Sequence, residues 1–250
     1  MHLNTSQASL LVHRLQERTR LHRNIEIVLA PSMLTLQPLS MQIDRRKFRL
    51  AAQNAYHKDE GAFTGEVSFT MLRDLVHYAI VGHSERRMHF YEDLSTVRDK
   101  VAAAIRNEIS PILCVGETQH ERKEGMTKRV LHDQVTTALQ NLTAREVGEV
   151  VIAYEPVWAI GMGDPAKPDQ IQAAVDYIRS QVAQLYGEKV SMAMRILYGA
   201  SVEPEFVGGI LRLNGVDGLL VGGASINPYK FAGIVEATWR LQHELGTDED

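Results

Sequence analysis

The chain has 250 residues, 44% hydrophobic and 23% charged, enough for one large domain or two small ones with a full core. Twenty-seven Lys and Arg against 31 Asp and Glu leave a net charge of −4, so no broad electrostatic attraction to nucleic acid exists. Every apolar run is far shorter than the ~20 residues of a membrane span, residues 1–6 lack the features of a secretion signal, and the single cysteine, Cys114, excludes an internal disulfide and suits a reducing cytoplasm.

Along the chain, a helical face comes first, carried by Leu10, Leu11, Val12 and Leu15. Short β-rich runs then recur at 27–32, 49–54, 78–83, 111–117, 150–157, 195–200 and 218–223. Several are nearly continuous in Val, Ile, Leu and Ala, which predicts strands buried on both faces of a parallel sheet. Helical spacing fills the intervals: Val97, Val101 and Ala104, then Ile171, Ala174, Val175, Ile178 and Val182, then Phe231, Ile234, Val235 and Leu241. No linker interrupts the alternation, so residues 1–250 are read as one domain, with 246–250 a frayed acidic tail. Strand–helix alternation of this length predicts a (β/α)8 barrel or a doubly wound open sheet. An eighth strand is lacking at the front, where the pattern opens on a helix.

Tyr154-Glu155-Pro156-Val157-Trp158 puts a carboxylate at the C-terminal end of a buried strand, ahead of an apolar loop able to close over a ligand. Desolvation under such a lid raises a carboxylate's basicity toward a carbon acid; the competing account is a strand-end Glu paired with an Arg. Gly82-His83-Ser84-Glu85 places a histidine where a strand enters a helical turn, and N–H groups pointing at the ring favour a neutral imidazole able to donate one hydrogen bond. A core histidine satisfied by its neighbours is the alternative. His13, His22 and His120 sit in polar contexts and are expected at the surface. Tyr198-Gly199-Ala200-Ser201 and Val221-Gly222-Gly223-Ala224-Ser225 are turns whose backbone N–H groups can converge on an anion. No metal-ligand spacing is present. Cys114 is expected to pack as a small apolar side chain, and Phe63 and Thr64, at the tip of a long loop, suggest cover by a partner.

Together the segments AYEPVWAIG, VGHSERR, AQN…GAFTGE, CVGE and VGGAS resemble the triosephosphate isomerase family, in its order and spacing, over nearly the whole chain. The resemblance implies a (β/α)8 barrel that interconverts dihydroxyacetone phosphate and D-glyceraldehyde 3-phosphate without cofactor or metal, in glycolysis and gluconeogenesis, as a cytoplasmic homodimer. By motif, Glu155 is the base, His83 the neutral electrophile, and Glu85 an orienting or relaying group. Gly161, Ser201, Gly222 and Gly223 hold the phosphate. Residues 158–166 form the lid, with Trp158 at its start and Tyr198 and Ser201 receiving it. The loop at Phe63 and Thr64 docks into a second subunit, close to the partner's residues 1–11.

Three departures stand out. The lid reads Gly161-Met162-Gly163-Asp164-Pro165-Ala166 where the family has threonines and a lysine around the second glycine, and Pro165 stiffens its hinge. Ala200 replaces a glycine, which is tolerable if its φ is negative. The family's first strand, roughly Asn-Trp-Lys-Met, is represented only by its Met, so seven strands of eight and no active-site lysine are expected, with an open seam between 27–32 and 218–223. A late start of a working isomerase explains this; the rival accounts are an impaired sugar-phosphate-binding barrel and another barrel lyase.

Overall fold

The computed structural model describes residues 1–19, 22, 24–163 and 165–246. Seven parallel strands form one curled sheet in strictly sequential order: β1 (Ile27–Leu29), β2 (Phe48–Ala52), β3 (Tyr78–Val81), β4 (Ser110–Val115), β5 (Val151–Tyr154), β6 (Ile196–Tyr198) and β7 (Gly218–Leu219). Each lies where the apolar runs predict it, and helices occupy the intervals as in a (β/α)8 barrel. The runs overshoot their strands, mostly at the C-terminal ends, where the site loops begin. An apolar residue there packs just as well in a loop, and periodicity cannot separate the two.

Alternation along each strand divides the core in two. Ile112, Cys114 and Ala153 face inward and meet Tyr78, Ile80, Val151, Leu197 and Leu220 inside the sheet's curl. Leu113, Val115, Ile152 and Tyr154 face outward against the helices. Residues buried on both faces leave no polar edge to the pattern, which explains the continuous hydrophobic runs.

The first helix, Thr5–Arg18, starts at a capping box in which Asn4 and Gln7 each satisfy the other's backbone N–H, at 2.9 and 3.0 Å. It buries Ala8, Val12 and Leu15, spaced as one helical face, but Leu10 points to solvent. Of the expected face, Val12 and Leu15 are buried and Leu11 packs against the core, while Leu10 is replaced by Ala8. The later helices bury the predicted residues: Val97, Val101 and Ala104; Ile171 through Val182; and Ile234, Val235 and Leu241, with Phe231 half-buried. Thr5–Arg18 packs against the last helix, Pro228–Gly246, so the outer helical layer meets itself beside the sheet's two edge strands.

The edges do not meet. Among the described residues, β1 pairs only with β2 and β7 only with β6, as expected for an open seam. Burial follows: Val28, Leu29, Leu219 and Leu220 are partly exposed, whereas the central Leu113, Cys114 and Ala153 are fully buried. His22 departs from the surface position expected of it. Its side chain is buried, paired with Glu236 and edge-on to Trp239 of the last helix, because the chain entering β1 passes under that helix. The expected tail falls mostly outside the described residues; Gly246 closes the last helix.

Candidate active site

The residues singled out for chemistry follow the C-terminal ends of β3, β5, β6 and β7. Glu155 comes directly after β5 and its N–H donates to Val115 O at 2.7 Å, extending the ladder by one residue. Opposite lies Gly116, where a Cβ would stand 1.8 Å from the Glu155 carbonyl oxygen. Only glycine permits this approach. Gln134 locks it, accepting from Gly116 N–H at 2.7 Å and donating to Gly116 O at 3.2 Å.

Gly82, at φ +70°, turns the chain out of β3 so that His83 caps the helix Ser84–His89. Two consequences follow from that cap. The Glu85 N–H points at His83 Nδ1 at 3.3 Å, and the Ser84 N–H donates to Glu155 Oε2 at 3.2 Å. With Nδ1 accepting, the ring proton sits on Nε2, which contacts Glu155 Oε1 at 2.9 Å. The carboxylate itself is buried, at 4% side-chain exposure.

Burial works against a charged His83, but the hydrogen bond and charge of Glu155, with Glu85 adding to them, carry its pKa above the ordinary value. That differs from the expected field: the N–H at Nδ1 opposes protonation, as the sequence predicts, yet the carboxylate outweighs it while Glu155 remains in contact. The sign for stability follows. A pKa raised in the folded state stabilises fully below the unfolded value near 6.5, and this contribution is lost as pH rises through the folded value. Titration of the His83 ring by NMR should therefore show an elevated pKa in the ligand-free chain, and Glu155→Gln should lower it. An unchanged pKa in that variant would mean the contact does not hold the proton.

Several neighbours were not anticipated. Cys114 is fully buried as expected, and burial, with the charge of Glu155 added to it, pushes its pKa well up. Arg87 donates to Gly82 O at 2.7 Å and Cys114 O at 3.1 Å, tying the ends of β3 and β4 together. Glu117 is fully buried and accepts from Trp158 Nε1 at 2.9 Å, from the Tyr154 hydroxyl at 3.2 Å and from Arg122 at 3.2 Å. Arg122 also stacks 3.9 Å above the Trp158 ring. The CVGE and SERR segments contain Cys114, Glu117 and Arg87, but nothing in their spacing says which carboxylate meets which ring.

The loop expected to serve as a lid begins at this cluster as a 3₁₀ turn, Val157–Ala159. Ser201 donates to Ala159 O at 2.9 Å, and the Ala166 N–H donates to the Tyr198 hydroxyl at 2.9 Å, so both expected receivers hold the loop at its two ends. Gly161 and Gly163 between them adopt positive φ, and Met162 is exposed; Asp164 lies outside the described residues. Ala200 is not at positive φ, so the missing glycine is tolerated there. Gly222 and Gly223 are exposed and lead into a short 3₁₀ turn, Gly223–Ile226. The Glu85 side chain is 76% exposed and 3.9 Å from His83 Nδ1, so its backbone, more than its carboxylate, touches the ring. Phe63 and Thr64 are both exposed; Phe63 rests on Tyr56 with ring centroids 4.7 Å apart. Among the described residues, no three His, Cys, Asp or Glu side chains gather as a metal-ligand group, and no helix is long and apolar enough to cross a membrane.

Comparison with known proteins agrees with this geometry. The family model described as triosephosphate isomerase matches residues 1–238. Proteins named triosephosphate isomerase from Trichlorobacter lovleyi and Chloroherpeton thalassium are 45% and 44% identical over 214 and 213 residues, about 85% of each chain. One from Geotalea uraniireducens is 43% identical over 236 residues, 94% of both chains. With a buried carboxylate and a donor imidazole at the C-terminal ends of a parallel barrel sheet, and with these relatives, the chain belongs to the triosephosphate isomerase family.

Proposed function

We propose that this chain interconverts dihydroxyacetone phosphate and D-glyceraldehyde 3-phosphate, with Glu155 as the base and His83 as the electrophile. The observation that carries this reading is the 2.9 Å contact between His83 Nε2 and a nearly inaccessible Glu155 at the foot of a hinged loop. In the ligand-free geometry the two groups satisfy one another and Ser84 N–H holds the second carboxylate oxygen. Substrate entering between them takes over both partners. The carboxylate removes a proton from the carbon next to the carbonyl, and Nε2–H donates to the oxygen on which charge develops. Glu155 then returns the proton to the neighbouring carbon while His83 moves the second proton between the two oxygens. Atoms balance without any external acid, base or redox partner.

Release of Glu155 from His83 also withdraws the charge that raises the imidazole's pKa, which favours its neutral form when it acts. Gly161, Ser201, Gly222 and Gly223 are assigned to the phosphate through backbone N–H groups, for which the absence of bulk at the glycines leaves room. Trp158 and Tyr198 anchor the lid that excludes water, and Glu85 positions the imidazole. Solvent deuterium should enter the substrate at the carbons next to the oxygens during turnover of dihydroxyacetone phosphate by the purified chain. Binding of the triose phosphate with neither turnover nor exchange would leave a binding barrel instead.

The same reading makes the protein a cytoplasmic homodimer. Phe63 and Thr64 lie at a loop tip stiffened by Gly61 at φ +139° and by the Tyr56 contact, a shape suited to insertion into a partner near its residues 1–11. Sedimentation at micromolar concentration should give a dimer, and Thr64→Arg, which buries an unpaired charge in that contact, should shift it to monomer. A wild-type monomer would remove the loop from the interface.

A further inference from the structure

A second polar constellation lies at the opposite end of the sheet, where the strands begin. There a cavity of about 340 Å³ is lined by Arg45, Arg49, Arg73, His77, Glu26 and Glu108, among others. The volume is that of a site for a small molecule. Two of its arginines have no ion-pair partner within the described residues, whereas other charges on the lining do. Glu108 is held by Arg73, and Glu26 accepts from the Tyr78 hydroxyl at 2.5 Å and lies 3.9 Å from Arg195. Asp74, the remaining carboxylate on the lining, is solvent-exposed. Among the described residues, neither Arg45 nor Arg49 forms an ion pair, and the flanking Arg46 and Lys47 are exposed.

Arg49 instead donates to a neutral acceptor, His77 Nε2, at 2.7 Å. The His77 proton is thereby placed on Nδ1, which is buried and without a partner. Burial pushes the His77 pKa down, and the charges of Arg49 and Arg45 each push it further than Glu26 pushes it back.

We propose that this cavity binds a phosphate-class dianion, inorganic phosphate or a phosphate monoester, between the guanidinium groups of Arg45 and Arg49 and beside His77. Guanidinium forks match phosphate oxygens and bind them in pairs, and two arginines that form no ion pair supply that pattern with no salt bridge to break first. The site is separate from the one at the C-terminal strand ends, since Arg49 and His77 lie at the start of β2 and just ahead of β3. Binding here is independent of whether His83 and Glu155 turn over a triose phosphate.

The test is a titration with inorganic phosphate followed through the His77 ring resonances by NMR, with sodium chloride at matched ionic strength as control. A saturable shift is expected in the wild-type chain. The paired substitution Arg45→Gln and Arg49→Gln should weaken the apparent Kd at least about tenfold, through loss of charge-assisted bonds, with circular dichroism confirming the fold. Arg45→Gln alone leaves the Arg49–His77 bond in place and should weaken it about threefold or more. No response of His77 beyond that to chloride, or a wild-type Kd in the Arg45→Gln chain, would overturn the proposal.

Discussion

Glu155→Gln is expected to lower kcat by about 10²–10⁴-fold, the contribution of a positioned general base. The substitution is isosteric, and the amide oxygen can still accept from one of the two donors that hold the carboxylate, Ser84 N–H at 3.2 Å or His83 Nε2 at 2.9 Å, while the amide NH2 gives up the other bond. The fold therefore has little reason to change. What disappears is a basic lone pair at the substrate carbon. Binding of a non-reacting substrate analogue should change by less than about tenfold, so the loss falls on kcat and not on KM. Glu155→Asp retains the base but draws it back by one methylene, and a displacement of about 1 Å costs on the order of 10²-fold. Steady-state kinetics of both variants with melting curves alongside decide the matter: near-normal turnover by Glu155→Gln would remove Glu155 from the chemistry.

The second large effect concerns the seam. β1 and β7 each offer one unpaired edge, and Val28, Leu29, Leu219 and Leu220 beside them are partly exposed. A segment fused ahead of residue 1 that supplies one parallel strand there would satisfy about five backbone bonds, at roughly 1 kcal/mol net each. For a domain of this size 1 kcal/mol corresponds to ~2–4 °C, so Tm should rise by about 10–20 °C over that of the 250-residue chain. Aggregation should fall as the exposed edges are paired. If the added strand also aims a lysine at the C-terminal end of the sheet, turnover should rise by about 10²–10³-fold, the worth of one charged donor at the developing oxyanion. Differential scanning calorimetry and isomerase assays on the two forms give the answer. Equal Tm values would mean that the seam is already closed by the chain itself, and equal turnover that no such lysine is needed.

Local patterns carried far in this sequence. The seven apolar runs mark seven strands because a strand covered on both faces must be apolar throughout, and the helical faces from Val97 to Leu241 follow because apolar residues at 3.6-residue spacing line one side of a helix. The positions of Glu155 and His83 were legible for the same reason: they lie one and two residues past a strand's C-terminal end, and strand ends are visible in sequence. The seam was also legible, from the count of strands.

Contacts between elements were not. Whether Leu10 or Ala8 faces the core depends on how the first helix rolls against the last, and His22 is buried because that last helix crosses the chain entering β1. The Glu117–Trp158–Arg122 cluster, the thiol of Cys114 against Glu155 and the carboxylate that raises the pKa of His83 all join residues of different βα units. Their proximity is set by sheet curl and by register, such as Val115 beside Tyr154. A linear pattern records the period of one element at a time. It contains no measure of the angle between two of them, and that angle decides which charges meet.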